Sequence, residues 1–371
     1  MNPELKEWVW YANLRGMATR KKIELLRIFD SPNEIYDADN IALAQTGILS
    51  KDNISAILSK EYRQSVNKTM EELFIKHIQV IPLNSPSYPN MLKNICDPPI
   101  CLYVKGKLLA DELSVAIVGS RRASGYGISL AKKISSELSE FNICIVSGMA
   151  RGIDSAAHIG ALTANGRTVA VLGCGLDIVY PGENKKLMDQ IIENGAVISE
   201  YPLGAEPMPH HFPIRNRIVS GMSVGVLVVE ASEKSGSLIT AQLALEQGRD
   251  VYALPGNVIS INSKGTNKLI QDGAKLVANV QDILDELNWF TLFDTKNVLD
   301  LDSYRNKKEI INGLDKDEQE VIELLSIESL QIDEIYKKIS IEMPILHSVL
   351  LSLEMKGLIK REPRGNYRIE V

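Results

Sequence analysis

The chain has 371 residues, of which 45% are hydrophobic and 24% charged, a balance typical of a globular protein with two or three domains. Its formal net charge of -6 excludes a uniformly basic surface, so any nucleic-acid-binding surface must be local. No apolar stretch approaches the ~20 residues that span a bilayer, and the N-terminus lacks the pattern of an export signal. We therefore expect a cytoplasmic protein without membrane contact. The cysteines, predicted to be reduced core thiols because they lack C-x-x-C spacing, are Cys96, Cys101, Cys144 and Cys174.

Residues 1–78 form the first predicted domain, which is helical. Apolar residues recur at three- and four-residue spacing through KKIELLRIF and NISAILSKEY, as on one face of a helix. The segment ALAQTGILSKDNISAIL has the helix, turn and helix of a helix-hairpin-helix or SAM-like unit. A small packing domain without a ligand of its own fits the same pattern equally well.

Residues 79–288 alternate short apolar strands with amphipathic helices. The strands are SVAIVG, ICIVSG, TVAVLG, AVIS, VGVLVVE and VYALPG, and helical patterns such as ISLAKKISSELSEF lie between them. Strands this uniformly apolar are covered on both faces, as in a parallel sheet. The alternation predicts an α/β fold with a Rossmann-like, doubly wound, mostly parallel sheet.

The remaining residues are predicted to be a linker and a third domain. Residues 289–312 are polar and are assigned to the linker. Residues 313–371 combine short helices with two strands around a basic Gly/Pro turn, which is the winged-helix pattern. Residues 305–371 contain more acidic than basic residues, which favours protein contact or weak DNA tethering. Its basic residues at the tip, equally consistent with a solvated wing and with a DNA contact, are Lys360, Arg361, Arg364 and Arg368.

Small residues and hydrogen-bond donors gather where the predicted strands end. In open α/β sheets, ligands bind at these carboxyl ends, near the point where the strand order reverses. Backbone N–H groups at small residues approach a ligand closely, and helix N-termini add a positive dipole end. The candidate donors are Gly119, Ser120, Ser147, Gly148, Ser235, Gly236, Ser237 and Thr240.

Basic side chains stand among these donors. In VGSRRASGYG, a G-x-G-x-x-G match fails because Arg121 and Ser124 occupy the second and third glycine positions. Serine and glycine donors combined with arginine and lysine on one rim indicate a phosphate site. Arg122 is at least as consistent with a solvated surface position. The other candidates at the strand ends are Arg151, Lys185, Lys186, Arg215, Asn216 and Arg217.

The sequence shows no recognisable catalytic constellation. It has no G-x-x-x-x-G-K-[ST] motif, which disfavours a P-loop NTPase, and no metal-ligand cluster. Asp154 most simply caps a helix or holds a neighbouring arginine, and His158 is expected to pack on the same helix. The pair His210 and His211 is a weak metal candidate. We predict no catalytic residue, no cofactor and no metal.

Seven motifs in order give the chain a specific family resemblance. They are VGSRRASGYG, SGMARGIDSAAHIGAL, TVAVLGCGLDIVYPGENKKL, ISEYPLG, FPIRNRIVSGMS, VVEASEKSGSLITAQLALEQGRDVYALPG and KGTNKLIQDGAKLV. Together they resemble the DNA-processing protein A (DprA, also called Smf) family, densely over about residues 80–288 and more loosely in the flanking domains.

The resemblance implies a non-enzymatic protein of natural transformation. Such proteins bind incoming single-stranded DNA, load a RecA-type recombinase onto it, and are homodimers through the Rossmann-like domain. The family's phosphate-gripping arginine falls on Arg121 and its groove-facing lysine on Lys186. The R-N-R motif at residues 215–217 and the SGSLITA turn at residues 235–241 match without change.

Two kinds of alternative stay open at this point. Phosphoribohydrolases of the lysine-decarboxylase-like type share the sheet architecture, but here Gln242 and Leu243 replace their glutamate, and a general base is missing. A nucleotide-sensing regulator would need a base or ribose pocket, which the sequence does not show. Rim aromatics that could stack on bases, or simply pack, are Tyr180, Tyr201 and Phe212.

Overall fold

The computed structural model describes residues 3–293, 315–325, 330–339, 341–356, 358–361 and 366–369. The chain divides into two compact units, residues 1–289 and 290–371. Among the described residues, no helix combines the length and the apolar character required to cross a membrane.

Six helices precede the first strand. Helix α5 begins at a capping box in which Ser50 and Asn53 each bond the other's backbone N–H, which satisfies two otherwise unpaired donors. Buried residues of these helices share one hydrophobic core with one face of the sheet that follows, and the Tyr103 hydroxyl donates to Asn13 Oδ1 at 2.9 Å. The helices are α1 (Pro3–Asn13), α2 (Thr19–Phe29), α3 (Pro32–Asp37), α4 (Asn40–Gln45), α5 (Lys51–Leu58) and α6 (Lys60–Ile75).

A nine-stranded sheet forms the centre of the first unit. Its strands are β1 (Gln79–Pro82), β2 (Cys101–Gly106), β3 (Ser114–Val118), β4 (Cys144–Ser147), β5 (Thr168–Leu172), β6 (Ala196–Ser199), β7 (Gly225–Val228), β8 (Asp250–Ala253) and β9 (Lys275–Leu276). The spatial order is β1-β2-β6-β5-β4-β3-β7-β8-β9. The strands from β6 to β9 in this order are parallel, and β1 and β2 extend them in antiparallel fashion. The six predicted strands are β3 to β8, and the predicted mostly parallel fold is confirmed.

Helices cover both faces of this sheet, as its apolar strands require. In β5, Ala170 and Leu172 enter the core shared with α1 to α6, whereas Val169 and Val171 enter the core on the opposite face. This alternation is the two-residue period of a strand buried on both sides. The helices after β1 are α7 (Asn90–Lys93), α8 (Gly125–Glu140), α9 (Ile153–Thr163), α10 (Lys185–Asn194), α11 (His211–Gly221), α12 (Gly236–Glu246), α13 (Lys264–Gln271) and α14 (Gln281–Phe293).

The strand order reverses between β3 and β7. From β3 the chain adds β4, β5 and β6 on one side, then returns and adds β7, β8 and β9 on the other. The connections that leave β3 and β7 therefore separate at their carboxyl ends and leave a crevice between them. Crevices of this kind are where doubly wound proteins bind ligands.

The second unit has the winged-helix arrangement that the sequence predicted. A three-stranded antiparallel sheet has the order β10-β12-β11. The wing residue Arg364 and most of the predicted linker, residues 294–312, lie outside the described residues, whereas residues 289–293 belong to α14. The elements are α15 (Lys316–Leu325), β10 (Leu330–Gln331), α16 (Ile332–Lys338), α17 (Met343–Met355), β11 (Ile359–Arg361) and β12 (Asn366–Ile369).

Candidate functional site

An open groove lies over the carboxyl ends of β3 and β7, at the reversal of strand order. We call it the switch-point groove. Its walls come from the turn after β3, the start of α9, the segment around α11 and the start of α12. The residues that line it are Val118–Arg122, Gly148, Ala150, Asp154, Tyr180, Pro207, Pro209, Phe212, Pro213, Arg215, Asn216, Val219, Ser232, Ser235–Ser237, Ile239, Thr240, Ile261 and Asn262.

The N-terminus of α8, at the end of the arginine-bearing turn, is already occupied by a carboxylate of the protein. Glu230 accepts hydrogen bonds from the backbone N–H of Ser124 at 2.9 Å and from its hydroxyl at 2.5 Å. A Cβ at Gly127 would lie 2.5 Å from the Glu230 carboxyl carbon, so a larger residue there would displace this carboxylate from the first turn of α8. A dinucleotide fold places its pyrophosphate at this helix N-terminus. Glu230 therefore excludes that mode of nucleotide binding.

The backbone of the turn is fixed while its arginines extend outward. Ser120 donates its N–H to the Glu230 carbonyl at 2.7 Å and accepts from the N–H of Ile153 at 3.2 Å. The Ser120 hydroxyl accepts from the N–H of Arg122 at 3.1 Å. Arg121 and Arg122 are both exposed. The turn thus presents two positive charges to the groove from a rigid base.

The Arg121 guanidinium packs on the first of two neighbouring aromatic rings. Its guanidinium carbon lies 5.2 Å from the centre of the Phe212 ring, within the range of a cation–π interaction. The Phe212 ring in turn lies 5.5 Å from the Tyr180 ring, tilted by 34°. Both rings line the groove beside Arg121. This corner offers a positive charge and two aromatic surfaces to one ligand.

A buried arginine and a buried carboxyl group form the floor of the groove. Arg215 donates through Nη1 to the carbonyls of Gly148, at 2.7 Å, and Val171. A Cβ at Gly148 would lie 2.4 Å from Arg215 Nη2, so this guanidinium packs directly on the glycine backbone. Burial lowers the pKa of Arg215 to about 10, and Asp154 opposes that shift, so the arginine stays charged at neutral pH. Burial raises the pKa of Asp154 to about 6, against the effect of Arg215 and Arg121 and of backbone N–H donors.

The opposite wall is a helix N-terminus with hydroxyl groups. Ser235 caps α12 by accepting from the N–H of Ser237 at 3.4 Å, and the two hydroxyls are 2.8 Å apart. Thr240 follows one turn later. Asn216 of α11 donates to the carbonyl of Gly236 at 3.4 Å. The start of α12 therefore faces the groove with hydroxyl donors and a positive dipole end.

The model of the family described as DNA recombination-mediator protein A matches residues 79–288, and the DprA winged helix domain matches residues 306–365. The chain belongs to the DNA recombination-mediator protein A family. It is 32% identical to Protein Smf of Synechocystis over 99% of both chains. The X-ray structure of DNA processing protein A from Streptococcus pneumoniae matches with a TM-score of 0.66 and 37% identity, over 76% of this chain and 97% of that one. A structure of the same protein from Helicobacter pylori, described for its single-stranded DNA binding mode, matches with a TM-score of 0.52 and 34% identity, over 57% and 96%.

Most of the predicted site residues of this family member lie together. Ten of the fourteen line the switch-point groove, and the convergence follows from the parallel sheet, whose strand ends share one edge. The ten are Gly119, Ser120, Arg121, Gly148, Arg215, Asn216, Ser235, Gly236, Ser237 and Thr240. Their contact with a ligand remains a prediction.

The other four predicted site residues are not among those that line the groove. Ser147 is buried, and its hydroxyl donates to the carbonyl of Ile117 at 2.6 Å. Arg151 is exposed, lines a smaller adjoining cavity, and forms an exposed ion pair with Glu183, which raises the pKa of Arg151. Lys186 is exposed in the first turn of α10.

Arg217, the fourth, is held in an ion pair with acidic side chains of the protein. It is 4% exposed and donates to both carboxylate oxygens of Glu200 at 2.6 Å, with Asp97 Oδ2 at 3.1 Å. Residues two apart on a helix point in different directions, so Arg215 and Arg217 of α11 cannot face the same site. The sequence places the R-N-R segment after a strand end. It does not show that this segment is helical, so that its two arginines lie on different faces of α11.

Two residues that sequence reasoning did not single out complete the turn. Glu230 closes the N-terminus of α8, and Asn262 donates to the Arg122 carbonyl at 3.1 Å and to Glu230 at 3.5 Å. The one available signal for Glu230 was that it is the charged residue at the end of the apolar run VGVLVVE. His158 is packed, as expected: its ring is buried, Nδ1 lies 2.6 Å from the Thr168 hydroxyl, and burial lowers its pKa to about 3.

Proposed function

We propose that this protein binds single-stranded DNA in the switch-point groove and loads a RecA-type recombinase onto it during natural transformation. Family membership supports a role in DNA processing and recombination, and the Helicobacter pylori relative is described as binding single-stranded DNA. In this proposal, residues 79–288 carry DNA binding and dimerisation, and residues 313–371 serve as a winged-helix contact for a protein partner.

The observation that carries the proposal is that cations and hydrogen-bond donors suited to phosphate converge on one groove. The same groove does not form a nucleotide pocket. The groove has the exposed cations Arg121 and Arg122, the N-terminus of α12 and the hydroxyls of Ser235 and Ser237. The pyrophosphate position of a dinucleotide fold is blocked by Glu230. A ligand must therefore place its phosphates along an open surface, as a polymer strand does.

A few local cations can bind DNA although the whole chain is acidic. Screening limits the repulsion from distant carboxylates to about 10 Å at moderate salt, so the nearby arginines dominate. Each phosphate paired with a cation also releases condensed counterions, and this makes the binding salt-dependent. Aromatic faces at Phe212 and Tyr180 would accept bases of any sequence.

A homodimer would place two such grooves on one strand. Among the described residues, β9 at the edge of the sheet pairs with β8 alone, and Leu276 of β9 is 46% exposed. Leu245 of α12 is 56% exposed and lines a cleft together with Lys275 of β9. Apolar side chains at an open sheet edge support self-association there. Two linked grooves bind more tightly than either alone through effective concentration.

The winged-helix unit fits a protein contact better than a DNA contact. Helix α17, MPILHSVLLSLEM, has no lysine or arginine, whereas DNA-reading helices need cations for the phosphates. Leu351 and Met355 on this helix are 59% and 82% exposed. We therefore propose that the winged-helix unit binds a protein partner and that the switch-point groove binds the single-stranded DNA.

Binding of single-stranded oligonucleotides should be salt-sensitive and should exceed binding of duplex. A gel-shift titration at several salt concentrations should give a log–log slope of about -0.7 for each phosphate neutralised. Adding a RecA-type recombinase should produce a larger complex on the strand at recombinase concentrations that do not form one alone. Equal affinity for single strands and duplex, or no effect on the recombinase, would contradict the proposal.

Asp154 provides the observation that favours an enzyme as second candidate. It is the one carboxylate among the residues lining the groove, and a raised pKa is common for catalytic acids and bases. However, Asp154 is 7% exposed and lies beside Arg215. Gln242, which replaces the glutamate of the phosphoribohydrolases, donates to Glu246 at 3.1 Å and does not line the groove. Sustained release of free base from nucleoside monophosphates would establish the phosphoribohydrolase reading instead.

Acidification is expected to strengthen single-strand binding through Asp154. As the pH falls through about 6, this carboxyl becomes neutral and the groove loses one negative charge. Because bound phosphate disfavours the nearby carboxylate, affinity should rise several-fold from about pH 7.5 to about pH 5.5. Fluorescence anisotropy of a labelled oligonucleotide across this range measures the effect.

The Asp154→Asn variant is the matched control, because its amide oxygen can still accept from the N–H of Ala150. The affinity of this variant should vary much less with pH than that of the wild type. Its stability should also lose a pH dependence: the raised pKa means that the folded protein binds more protons than the unfolded chain between about pH 4 and 6, so wild-type stability falls as pH rises through this window. An unchanged affinity profile in the variant would contradict the role of Asp154.

A further inference from the structure

Three branched aliphatic side chains lie almost fully in solvent on one short loop. Val258, Ile259 and Ile261, in the segment between β8 and α13, are 78%, 83% and 70% exposed. We call these three residues the apolar tip. Isolated exposed apolar residues are ordinary, but three within four positions form a patch.

The loop that carries the apolar tip is fixed at its base. Asn267 of α13 accepts from the N–H of Gly256 at 3.1 Å and donates to the Gly256 carbonyl at 3.0 Å. Inside the loop, Asn257 accepts from the N–H groups of Ile259, at 3.1 Å, and Ser260, at 2.9 Å. These bonds hold a turn that presents the tip outward. The exposure of the tip is therefore a property of an ordered turn.

The same loop is bonded to the arginine-bearing turn. Asn262 donates to the carbonyl of Arg122 at 3.1 Å, and its own carbonyl accepts from the N–H of Ala231 at 2.7 Å. Ile261 lines the switch-point groove, and so does Ile239, which is 42% exposed. The apolar tip is thus continuous with the groove on the side of its cations.

We propose that the apolar tip contacts the bases of the single strand whose phosphates lie on the Arg121–Arg122 turn. The proposal rests on the proposed function, and it adds a surface for the bases. A single strand presents one apolar base face for every phosphate, and the rings of Phe212 and Tyr180 beside Arg121 cover only part of these faces, so further base surface stays in water. Aliphatic side chains remove base surface from water without hydrogen bonds and so without sequence preference.

This contact would also discriminate single strands from duplex. In a duplex the base faces are stacked on one another, and unstacking them costs several kcal/mol. In a single strand the faces are accessible to the apolar tip at once. The cations of the turn cannot make this distinction, because both forms of DNA carry phosphates.

The test compares oligothymidylate with an abasic oligonucleotide of the same length, which has the phosphates but lacks the bases. Wild-type protein should bind oligothymidylate more tightly. In the Val258→Ser/Ile259→Ser variant, affinity for oligothymidylate should fall about tenfold, since the two apolar side chains no longer remove base surface from water. Its affinity for the abasic strand and its salt slope should not change.

The control is Ile28→Ser/Ile41→Ser, which removes exposed aliphatic side chains, 52% and 66% exposed, from the N-terminal helices. It should bind both strands as the wild type does. Wild-type affinity for oligothymidylate in the tip variant would overturn the inference. So would a loss of self-association or of recombinase loading with DNA affinity unchanged, because the tip would then contact a protein. If the wild type binds neither strand, the proposed function fails with it, and this outcome is distinct from the others.

Discussion

Replacing Arg121 with alanine is expected to weaken single-strand binding about tenfold at low salt, the loss of one charge-assisted hydrogen bond. Arg121 is exposed at the groove and its guanidinium lies over Phe212. All sequences should be affected alike, because a phosphate contact carries no base information. The log–log salt slope should become shallower by about 0.7, the share of one phosphate.

Arg20→Ala is the matched control for this measurement. It removes the same charge from α2, where the Arg20 side chain is 81% exposed and pairs with Glu24. A general effect of net charge would weaken DNA binding equally in both variants, whereas loss of a local contact weakens DNA binding only in Arg121→Ala. Retained affinity with an unchanged slope in Arg121→Ala would refute the assignment of the groove.

Replacing Arg217 with alanine is expected to cost about 3–5 kcal/mol of unfolding free energy, the usual result of breaking a buried ion pair. The change leaves Glu200, whose side chain is 12% exposed, without its bidentate partner, and it removes the bond to the Asp97 carbonyl. Urea unfolding followed by circular dichroism measures the loss. The arginine of the R-N-R motif that lines the groove, Arg215, is unchanged in this variant.

The outcome separates a structural role of Arg217 from contact with DNA. Arg20→Ala again serves as control and should cost no more than about 0.5 kcal/mol, as exposed pairs do. If Arg217→Ala kept full stability and bound DNA more weakly with a shallower salt slope, Arg217 would be a phosphate ligand. The buried geometry would then have to open on binding.

The contrast between Arg121 and Arg217 shows how much of the site the sequence alone could predict. Residue type and motif order identified both arginines as site candidates, and the sequence could not rank them. The ranking depends on which face of α11 each position occupies and on where Glu200 and Asp97 lie in space. Both are long-range facts that spacing along the chain does not contain.

The sequence by itself determined the strands, their burial on both faces and the fold class, because these depend on local periodicity and on apolar composition. It also indicated that the donors would meet, since the carboxyl ends of parallel strands share one edge. Tertiary structure alone decided what occupies each position at that edge. Glu230, in the segment after β7, bonds the N-terminus of α8, and Arg215 of α11 lies on the Gly148 backbone. Both contacts join residues distant in the chain, so only the folded arrangement distinguishes an open groove from a nucleotide pocket.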